Sequence, residues 1–326
     1  MNDLLEELRG FDALRDGQDH EQQDEVKIRT LPHAPPEYED RAYLEQFPEP
    51  LRNALADEGI ERLYAHQAEA IDRIRTGKDV VLEAPTASGK TLCFNIPLIH
   101  RLMENPHSHA MMIHPMKALS KDQRRQFEAM ASAMTDSAGN AITSWIFDGD
   151  TDKEHRDLMK KFPPSLLLTN PEMVHYSFLG WSDQWEDYLR KLRFLIIDEI
   201  HEYRGFFGTN VALLFRRFLA KLKQLGANPQ VVLATATCGN AREHANRLTG
   251  RDCEVVRAES AMRPERHFAF INPDIPDFRF HQIYRLRIVR ATLACVAKGM
   301  STLVFCQSRK FAEQAAKEAQ RDAPDF

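Results

Sequence analysis

The sequence predicts an α/β fold in which a parallel β-sheet is flanked by helices, and three observations support it. From residue 80 onward, short apolar runs alternate with amphipathic stretches of helical period. Runs such as Leu166–Leu168 and Phe194–Ile197 are continuously apolar, as in strands buried on both faces. A loop containing glycine and lysine lies between the first apolar run and the first amphipathic stretch. Together these features indicate a helix-covered parallel sheet that carries a phosphate-binding loop.

Strands and helices alternate along the predicted domain. The strands are predicted at Val80–Glu83, Ala110–His114, Thr143–Phe147, Ser165–Thr169, Phe194–Asp198 and Gln230–Thr235. The helices are predicted at Thr91–Met103, Leu119–Met134, Asp152–Lys161, Pro171–Leu179, Val211–Leu225 and Ala241–Leu248. In a parallel sheet the carboxyl ends of the strands share one edge, where ligands bind in such folds.

The loop Ala84–Thr91, APTASGKT, matches the P-loop pattern G-x-x-x-x-G-K-[ST], with alanine at the usual first glycine. Its backbone N–H groups and the start of the next helix favour an anion. Gly89 permits close approach to a phosphate, Lys90 supplies a positive charge, and Thr91 offers a hydroxyl to Mg²⁺. The other residues expected around the phosphates are Pro85, Thr86, Ala87 and Ser88.

The strand Phe194–Asp198 ends in the acidic sequence DEIH, 108 residues after Lys90. Asp198 is placed to hold Mg²⁺, mostly through water, and Glu199 to orient or deprotonate an attacking water. Charged residues often follow strands, but this pair combined with a P-loop predicts nucleotide hydrolysis. The predicted catalytic group is Lys90, Asp198, Glu199 and His201.

Two further segments complete the predicted nucleotide site. Thr235 and Thr237 end another strand and are placed to hydrogen-bond His201 and the acidic pair, relaying the nucleotide state to neighbouring elements. Gln67 precedes the P-loop by some twenty residues, and a carboxamide both accepts and donates, as adenine recognition requires. Tyr64 is placed to stack on the base. The sequence therefore predicts ATP and Mg²⁺ as cofactors.

Composition limits the class of protein. The 326-residue chain is 43% hydrophobic, as in globular proteins. No apolar run approaches the ~18 residues that cross a membrane, and no membrane partner is expected. The N-terminus lacks a signal-peptide core, and the five cysteines form no C-x-x-C pair, which predicts a cytoplasmic protein with reduced thiols and no zinc site. Residues 1–25 carry nine acidic and two basic side chains, so the rest of the chain is slightly basic and permits phosphate binding.

Charge and proline content divide the chain into five predicted segments. These are a mobile acidic tail (1–25), a proline-rich N-terminal extension (26–58), the α/β domain (59–260), a linker (261–280) and the start of a second α/β domain (281–326). The last segment contains a predicted helix, a buried strand at Thr302–Cys306 and another helix. It is too short for a core of its own, so we interpret it as incomplete.

In order, Gln67, APTASGKT, DEIH and Thr235–Thr237 resemble the motor of superfamily II helicases of the DEAD/DEAH-box type. Similar segments are His114–Leu119 (motif Ia), Phe147–Asp150 and Leu168–Met173 (loops that grip a nucleic-acid backbone) and Val304–Arg309 (motif IV). LYAHQAEAI, PTASGKTLCFNIP and DEIHEYRGFFGTNVA are similar to MrfA-type bacterial DNA-repair helicases, related to a fungal RecQ-like (Hrq) group. The resemblance implies a RecA-like first domain and a truncated start of a second RecA-like lobe.

The resemblance also implies a mechanism and a partner. ATP would bind between two lobes while one nucleic-acid strand crosses both, with 3′-to-5′ unwinding of DNA in repair as the expected activity. The partner would be single-stranded or partly duplex DNA, gripped through its backbone. The implied contacts are Lys117, Asp148, Thr169 and Asn170.

The sequence departs from the family pattern in three places. His114 and Met116 replace common motif Ia residues, and Thr235 replaces the usual serine. Motifs V and VI, with their arginine fingers, would lie beyond Phe326, so we expect ATP·Mg²⁺ binding with slow hydrolysis and no unwinding. Two alternatives stay open: a non-catalytic ATP- and nucleic-acid-binding remnant, and an RNA helicase, against which DEIH in place of DEAD argues.

Overall fold

The computed structural model describes residues 25–85, 87–236, 238–272 and 280–323. The chain divides into two compact units, one formed by Pro35–Arg263 and the other by the described parts of Met1–Ala34 and Pro264–Phe326. Several predicted features lie outside the described residues. They are most of the acidic tail (1–24), Thr86, Thr237, residues 273–279 of the linker and residues 324–326.

The larger unit is built on a seven-stranded parallel sheet. The strands of the described chain are β1 (Glu25–Leu31), β2 (Val80–Glu83), β3 (His109–Ile113), β4 (Ser144–Ile146), β5 (Leu166–Thr169), β6 (Leu192–Ile197), β7 (Gln230–Thr235), β8 (Glu254–Arg257) and β9 (Arg266–Asn272). The sheet order is β4-β5-β3-β6-β7-β2-β8. All six predicted strands of this domain are present, and the predicted RecA-like α/β fold is confirmed. β8 was not predicted because only two valines separate its charged ends.

Helices cover both faces of the sheet. They are α1 (Glu49–Asp57), α2 (Ala65–Arg75), α3 (Lys90–Glu104), α4 (Lys117–Ala131), α5 (Lys153–Lys161), α6 (Pro171–Met173), α7 (Glu186–Arg190), α8 (Gly205–Gln224), α9 (Ala241–Thr249), α10 (Phe280–Ala297) and α11 (Arg309–Asp322). α6 continues as π-helical turns over Val174–Leu179. None of the described helices is both long and apolar enough to cross a membrane.

The continuously apolar strands supply two separate cores because side chains alternate between the faces of a sheet. In β3, Ala110 and Met112 join the core that also contains Phe94 of α3. Met111 and Ile113 join the opposite core, under α8 and α9. Burial on both faces therefore explains why these strands show no polar alternation.

The larger unit begins at residue 35 rather than at the predicted boundary of 59. α1 places Leu51 and Leu55 in the core, where each is fully buried, and Phe47 packs with them. Pro48 and Pro50 lie at the start of α1, where proline is tolerated. Leu51 and Leu55, four residues apart, form the face of α1 that packs in the core. Residues 35–58 are thus part of the domain and not an extension from it.

The smaller unit contains an antiparallel ribbon and two helices. β1 pairs with β9 along its length, from Glu25 opposite Asn272 to Leu31 opposite Arg266. Arg285 of α10 donates to Glu318 of α11 at 2.9 Å. The predicted linker therefore contains a strand, which pairs with the chain before the larger unit.

The predicted buried strand at Thr302–Cys306 is wrong for this structure. The segment has no strand pairing, and the side chains of Leu303 and Phe305 are 78% and 87% exposed. A central strand needs hydrogen-bonding neighbours. Residues 280–323, where the structure describes them, contain no other strand that could provide one.

Candidate functional site

The P-loop turns tightly between β2 and α3. Ala84 donates its backbone N–H to the carbonyl oxygen of Thr235 at 3.0 Å, which ties the loop to β7. Ala87 and Gly89 both adopt left-handed backbone conformations, with φ of 63° and 74°. A Cβ atom at Gly89 would lie 2.3 Å from the side-chain nitrogen of Gln67, so only glycine fits there without movement.

A cavity of about 450 Å³ opens over this loop. Of the predicted phosphate residues, Pro85, Ala87, Gly89, Lys90 and Thr91 line it, together with Glu199. Ser88 is buried, and its hydroxyl has no hydrogen-bond partner among the described residues. Ala84, the first residue of the motif, also lines it, and the motif did not predict the remaining lining residues, which are Glu58, Ile60, Leu92, Asn95, Gln126, Met130 and Ala236. They come from separate elements that only the folded chain brings together.

Lys90 joins the P-loop to the acidic pair. Its Nζ lies 2.6 Å from Oε1 of Glu199 and 3.0 Å from Oδ1 of Asp198. Burial would lower the pKa of Lys90, but the two carboxylates outweigh burial and raise it. The predicted catalytic residues thus meet at the carboxyl edge of the sheet, and the lysine is charged.

Glu199 occupies a strained position. Its φ is 52°, in the left-handed region of backbone conformation that residues other than glycine rarely adopt. Its backbone N–H donates to Oδ1 of Asp198 at 2.8 Å, which helps to hold the turn. Strain of this kind is typical of functional sites, because the surrounding structure holds a reactive group in place.

The residues around Lys90 fit Mg²⁺ that is shared with a nucleotide. Asp198 is 1% exposed, and Thr91 lines the same cavity as Lys90. Within the described residues, no cluster of three or more His, Cys, Asp or Glu side chains could hold a metal. Mg²⁺ usually keeps several waters and takes only one or two carboxylates plus phosphate oxygens. Asp198 and Thr91 would be its protein ligands.

Gln67 contacts the P-loop, but Tyr64 takes a different position from the predicted one. Gln67 donates from Nε2 to the carbonyl oxygen of Gly89 at 3.0 Å and accepts from the N–H of Tyr64 at 2.8 Å. The ring of Tyr64 stacks on Tyr38 and His66, with centroid distances of 5.0 and 5.6 Å, and does not line the cavity. Adenine recognition by Gln67 stays a prediction, while stacking by Tyr64 lacks geometric support because its ring packs on other aromatic rings.

His201 links Glu199 to the end of β7 through the backbone N–H of Ala236 rather than through the side chain of Thr235. Its Nδ1 lies 3.2 Å from Oε2 of Glu199 and 3.3 Å from the backbone nitrogen of Ala236. Thr235 is fully buried, and its hydroxyl lies 3.6 Å from Sγ of Cys238. The predicted hydrogen bond from the Thr235 side chain to His201 is therefore wrong. The backbone of the TAT segment makes the contact instead.

Comparisons with known proteins agree with this geometry. The family model described as DEAD/DEAH box helicase matches residues 64–244, which is more than half of the chain. The chain belongs to the DEAD/DEAH box helicases. It is 30% identical over 311 residues to the uncharacterized ATP-dependent helicase YprA of Bacillus subtilis, covering 95% of this chain and 39% of YprA. It is 31% identical over 265 residues to the ATP-dependent helicase HRQ1 of Saccharomyces cerevisiae, covering 79% of this chain and 24% of HRQ1.

Solved helicase structures show the same fold. The DUF1998 helicase MrfA bound to DNA and AMPPNP superposes with a TM-score of 0.83 at 27% identity, covering 98% of this chain and 42% of MrfA. The DEAD-box helicase Mss116 bound to single-stranded RNA matches with a TM-score of 0.58 at 18% identity, which shows the fold alone. The predicted resemblance to MrfA-type helicases is confirmed. The chain spans about two fifths of the length of YprA and of MrfA.

The predicted nucleic-acid residues of this helicase domain lie at the ends of β3, β4 and β5. Thr169 is 1% exposed and donates its hydroxyl to the carbonyl oxygen of Phe147 at 2.7 Å, so its side chain is not free for a phosphate. Asn170 is 7% exposed and caps α6 by accepting from the N–H of Met173 at 3.0 Å. Both side chains stabilise the loop. For either side chain to contact a nucleic-acid backbone, the hydrogen bond it makes here would have to be exchanged.

Lys117 and Asp148 lie on the exposed side of the same loops. Lys117 is paired with Asp150 at 2.9 Å, and this hydrogen bond raises the pKa of the lysine. Asp148 accepts from the N–H of Asp150 at 2.9 Å and so shapes its own turn. Lys117 remains the one predicted contact with an accessible positive charge. Asp150 would compete with a phosphate for it.

His114 lies next to the acidic pair at the end of β3. Its Nδ1 is 3.7 Å from Oδ2 of Asp198, and its side chain is fully buried. Burial lowers the pKa of His114 to about 4, so the ring is neutral near pH 7. From the sequence, His114 was noted only as a replacement of a common motif Ia residue, and its position beside Asp198 was not predicted.

Proposed function

We propose that this chain is the ATP-binding part of a helicase or translocase motor that moves 3′ to 5′ on DNA and acts in DNA repair in the cytoplasm. Membership of the DEAD/DEAH box helicases supports the ATP-dependent motor. The DNA-bound state of the neighbouring MrfA supports DNA as the partner. The observation that carries the proposal is the contact of Lys90 with both Asp198 and Glu199 beneath the P-loop.

The geometry favours a specific sequence of events. The N–H groups of the P-loop and the start of α3 receive the phosphates, and Lys90 turns from the two carboxylates to the β- and γ-phosphate oxygens. Glu199, released from the lysine, accepts a proton from the attacking water and becomes neutral, while His201, whose Nδ1 lies 3.2 Å from Oε2 of Glu199, holds the carboxyl group in place. Mg²⁺ held by Asp198 and Thr91 would neutralise charge on the transferred phosphoryl group when bound. His201 and Ala236 then carry the change to β7.

Nucleotide binding and ATP hydrolysis, measured for the wild-type chain and two single-residue variants, test this proposal. Wild type is expected to bind a fluorescent ATP analogue and to hydrolyse ATP slowly. Lys90→Ala removes the positive charge under the phosphates and should lose binding. Glu199→Gln should keep binding and lower the hydrolysis rate by about 10²–10⁴-fold, as for loss of a general base.

The matched control is Asp252→Asn, because Asp252 is exposed and its carboxylate pairs with Arg242 and Asn246 of α9. It should behave as wild type in both assays. An unchanged rate for Glu199→Gln would contradict the catalytic assignment. Wild-type binding by Lys90→Ala would contradict the site itself.

Competition between single-stranded DNA and RNA tests the choice of partner. We expect DNA to displace labelled DNA at lower concentration than RNA of the same sequence. The reverse order would favour an RNA helicase. Binding of nucleotide with no hydrolysis, even with DNA present, would favour a non-catalytic remnant.

A further inference from the structure

A buried histidine next to the nucleotide site has no part in the chemistry described so far. His114 is 0% exposed, and neither of its ring nitrogens has a hydrogen-bond partner among the described residues. Buried polar groups are nearly always hydrogen-bonded, and an unpaired one lowers stability. Both nitrogens of this imidazole are therefore available to a partner.

The two carboxylate oxygens of Asp198 have different surroundings. Oδ1 lies 3.0 Å from Nζ of Lys90 and accepts the backbone N–H of Glu199 at 2.8 Å. Oδ2 faces away from that lysine contact and lies 3.7 Å from Nδ1 of His114. That distance exceeds a hydrogen bond by roughly 0.5–1 Å. A small rotation of the carboxylate would close it.

Backbone hydrogen bonds hold the residues that follow β3 and β6 side by side, so the gap between the two side chains closes by side-chain rotation. The N–H of His114 donates to the carbonyl oxygen of Thr169 at 2.9 Å, which continues the pairing of β3 with β5. The N–H of Asp198 donates to the carbonyl oxygen of Ile113, which brings the two strand ends side by side. The imidazole thus lies beside a carboxylate that Lys90 also contacts.

We propose that His114 is a positioning residue that donates a hydrogen bond from Nδ1 to Oδ2 of Asp198 when Lys90 turns to the nucleotide phosphates. The inference rests on the proposed function. Phosphate oxygens compete for the ammonium of Lys90, and the buried Asp198 then loses its ion pair. His114 replaces that partner and holds the carboxylate in the orientation that binds Mg²⁺, as groups behind a metal ligand do.

The test measures the dissociation constant of ADP for the full chain by calorimetry, once with Mg²⁺ and once with EDTA. The ratio of the two constants reports how well the site uses Mg²⁺. His114→Leu removes both nitrogens and should reduce that ratio by about 10–100-fold while leaving ADP affinity in EDTA unchanged. His114→Asn places an amide nitrogen near the position of Nδ1 and should restore most of the ratio.

The matched control is His109→Gln. His109 lies at the opposite end of β3, its Nδ1 is 2.9 Å from the carbonyl oxygen of Pro164, and burial lowers its pKa to about 4 as in His114. The control should keep the wild-type ratio. A folded His114→Leu variant with the wild-type ratio would overturn the inference.

A second measurement covers the case in which His114→Leu does not fold. The ¹⁵N chemical shifts of the His114 ring in the wild-type chain should show a protonated Nδ1 that becomes hydrogen-bonded on addition of ADP and Mg²⁺. Unchanged shifts with ADP and Mg²⁺ bound would overturn the inference and leave the proposed function standing. A wild-type chain that binds no ADP with Mg²⁺ would overturn both.

Discussion

Substitution of Gly89 by alanine tests whether the P-loop conformation depends on a close approach to Gln67. The new methyl group would lie 2.3 Å from Nε2 of Gln67, and the backbone at Gly89 has a φ of 74°. Gln67 must therefore move and release its bonds to Gly89 and Tyr64. Gly77 provides a matched control, since its φ is 80° and nothing lies within 4 Å of the position of its Cβ.

Two effects contribute to the loss of stability, the left-handed backbone and the hydrogen bonds of Gln67, and the control variant shows only the first. A left-handed backbone costs a side chain about 1–2 kcal/mol, which should be the whole effect of Gly77→Ala. Gly89→Ala adds the loss of one or two hydrogen bonds at about 0.5–1.5 kcal/mol each. We expect Gly89→Ala to destabilise the domain by about 1.5–5 kcal/mol, which is more than the control by the free energy of the lost hydrogen bonds.

Urea unfolding of the full chain measures both free energies, and a double-mutant cycle with Gln67→Ala isolates the clash. Since alanine at 67 removes the group that the methyl meets, the double variant should cost about 1–2 kcal/mol less than the sum of the single variants. Equal costs for Gly89→Ala and Gly77→Ala would refute the reasoning. Strict additivity with Gln67→Ala would do the same.

Two further predictions concern charge. Burial lowers the pKa of His109 to about 4, while an unfolded histidine titrates near 6.5. The unfolded chain therefore binds more protons between these values, and stability should fall as pH falls from about 6.5 to 4, by at most about 1.4 kcal/mol per pH unit for this histidine. Urea unfolding at pH 7 and pH 5 measures the fall, and His109→Gln should reduce it; an unchanged pH slope would contradict the burial argument. Asp150→Asn removes the carboxylate paired with Lys117, so DNA should bind more tightly and with a salt dependence steeper by about one counterion. Fluorescence anisotropy across a salt series checks this, with Asp122→Asn on the exposed side of α4 as control, and weaker binding by Asp150→Asn would exclude competition at Lys117.

The elements of the domain were largely predictable because their signals are local. Apolar runs predicted six of the seven strands of the sheet, and the P-loop and DEIH motifs predicted which of their ends carry the chemistry. The contacts of Lys90 with Asp198 and Glu199 follow from the parallel order of the strands, which places both motifs on one edge. Periodicity and motif spacing were sufficient for this part of the site.

The errors concern features that depend on a distant partner. Thr302–Cys306 has the composition of a strand, yet no described neighbour pairs with it, and Phe305 is exposed. Thr169 ends β5 at the expected place, and its hydroxyl donates to the carbonyl oxygen of Phe147 directly after β4, so its predicted contact with nucleic acid stays a prediction. Composition indicates what a segment can form. Pairing and burial decide what it does form.

The sequence by itself determined the α/β class, the ATP-type phosphate loop and the acidic pair, since each is encoded in a run of neighbouring residues. Only the tertiary structure decided that Gln67 holds Gly89, that Ala236 rather than Thr235 contacts His201, and that His114 lies beside Asp198. These contacts join residues far apart in the chain, and their distances depend on how helices and strands pack. A spacing in sequence cannot specify them, because it contains no information on the orientation of one element against another.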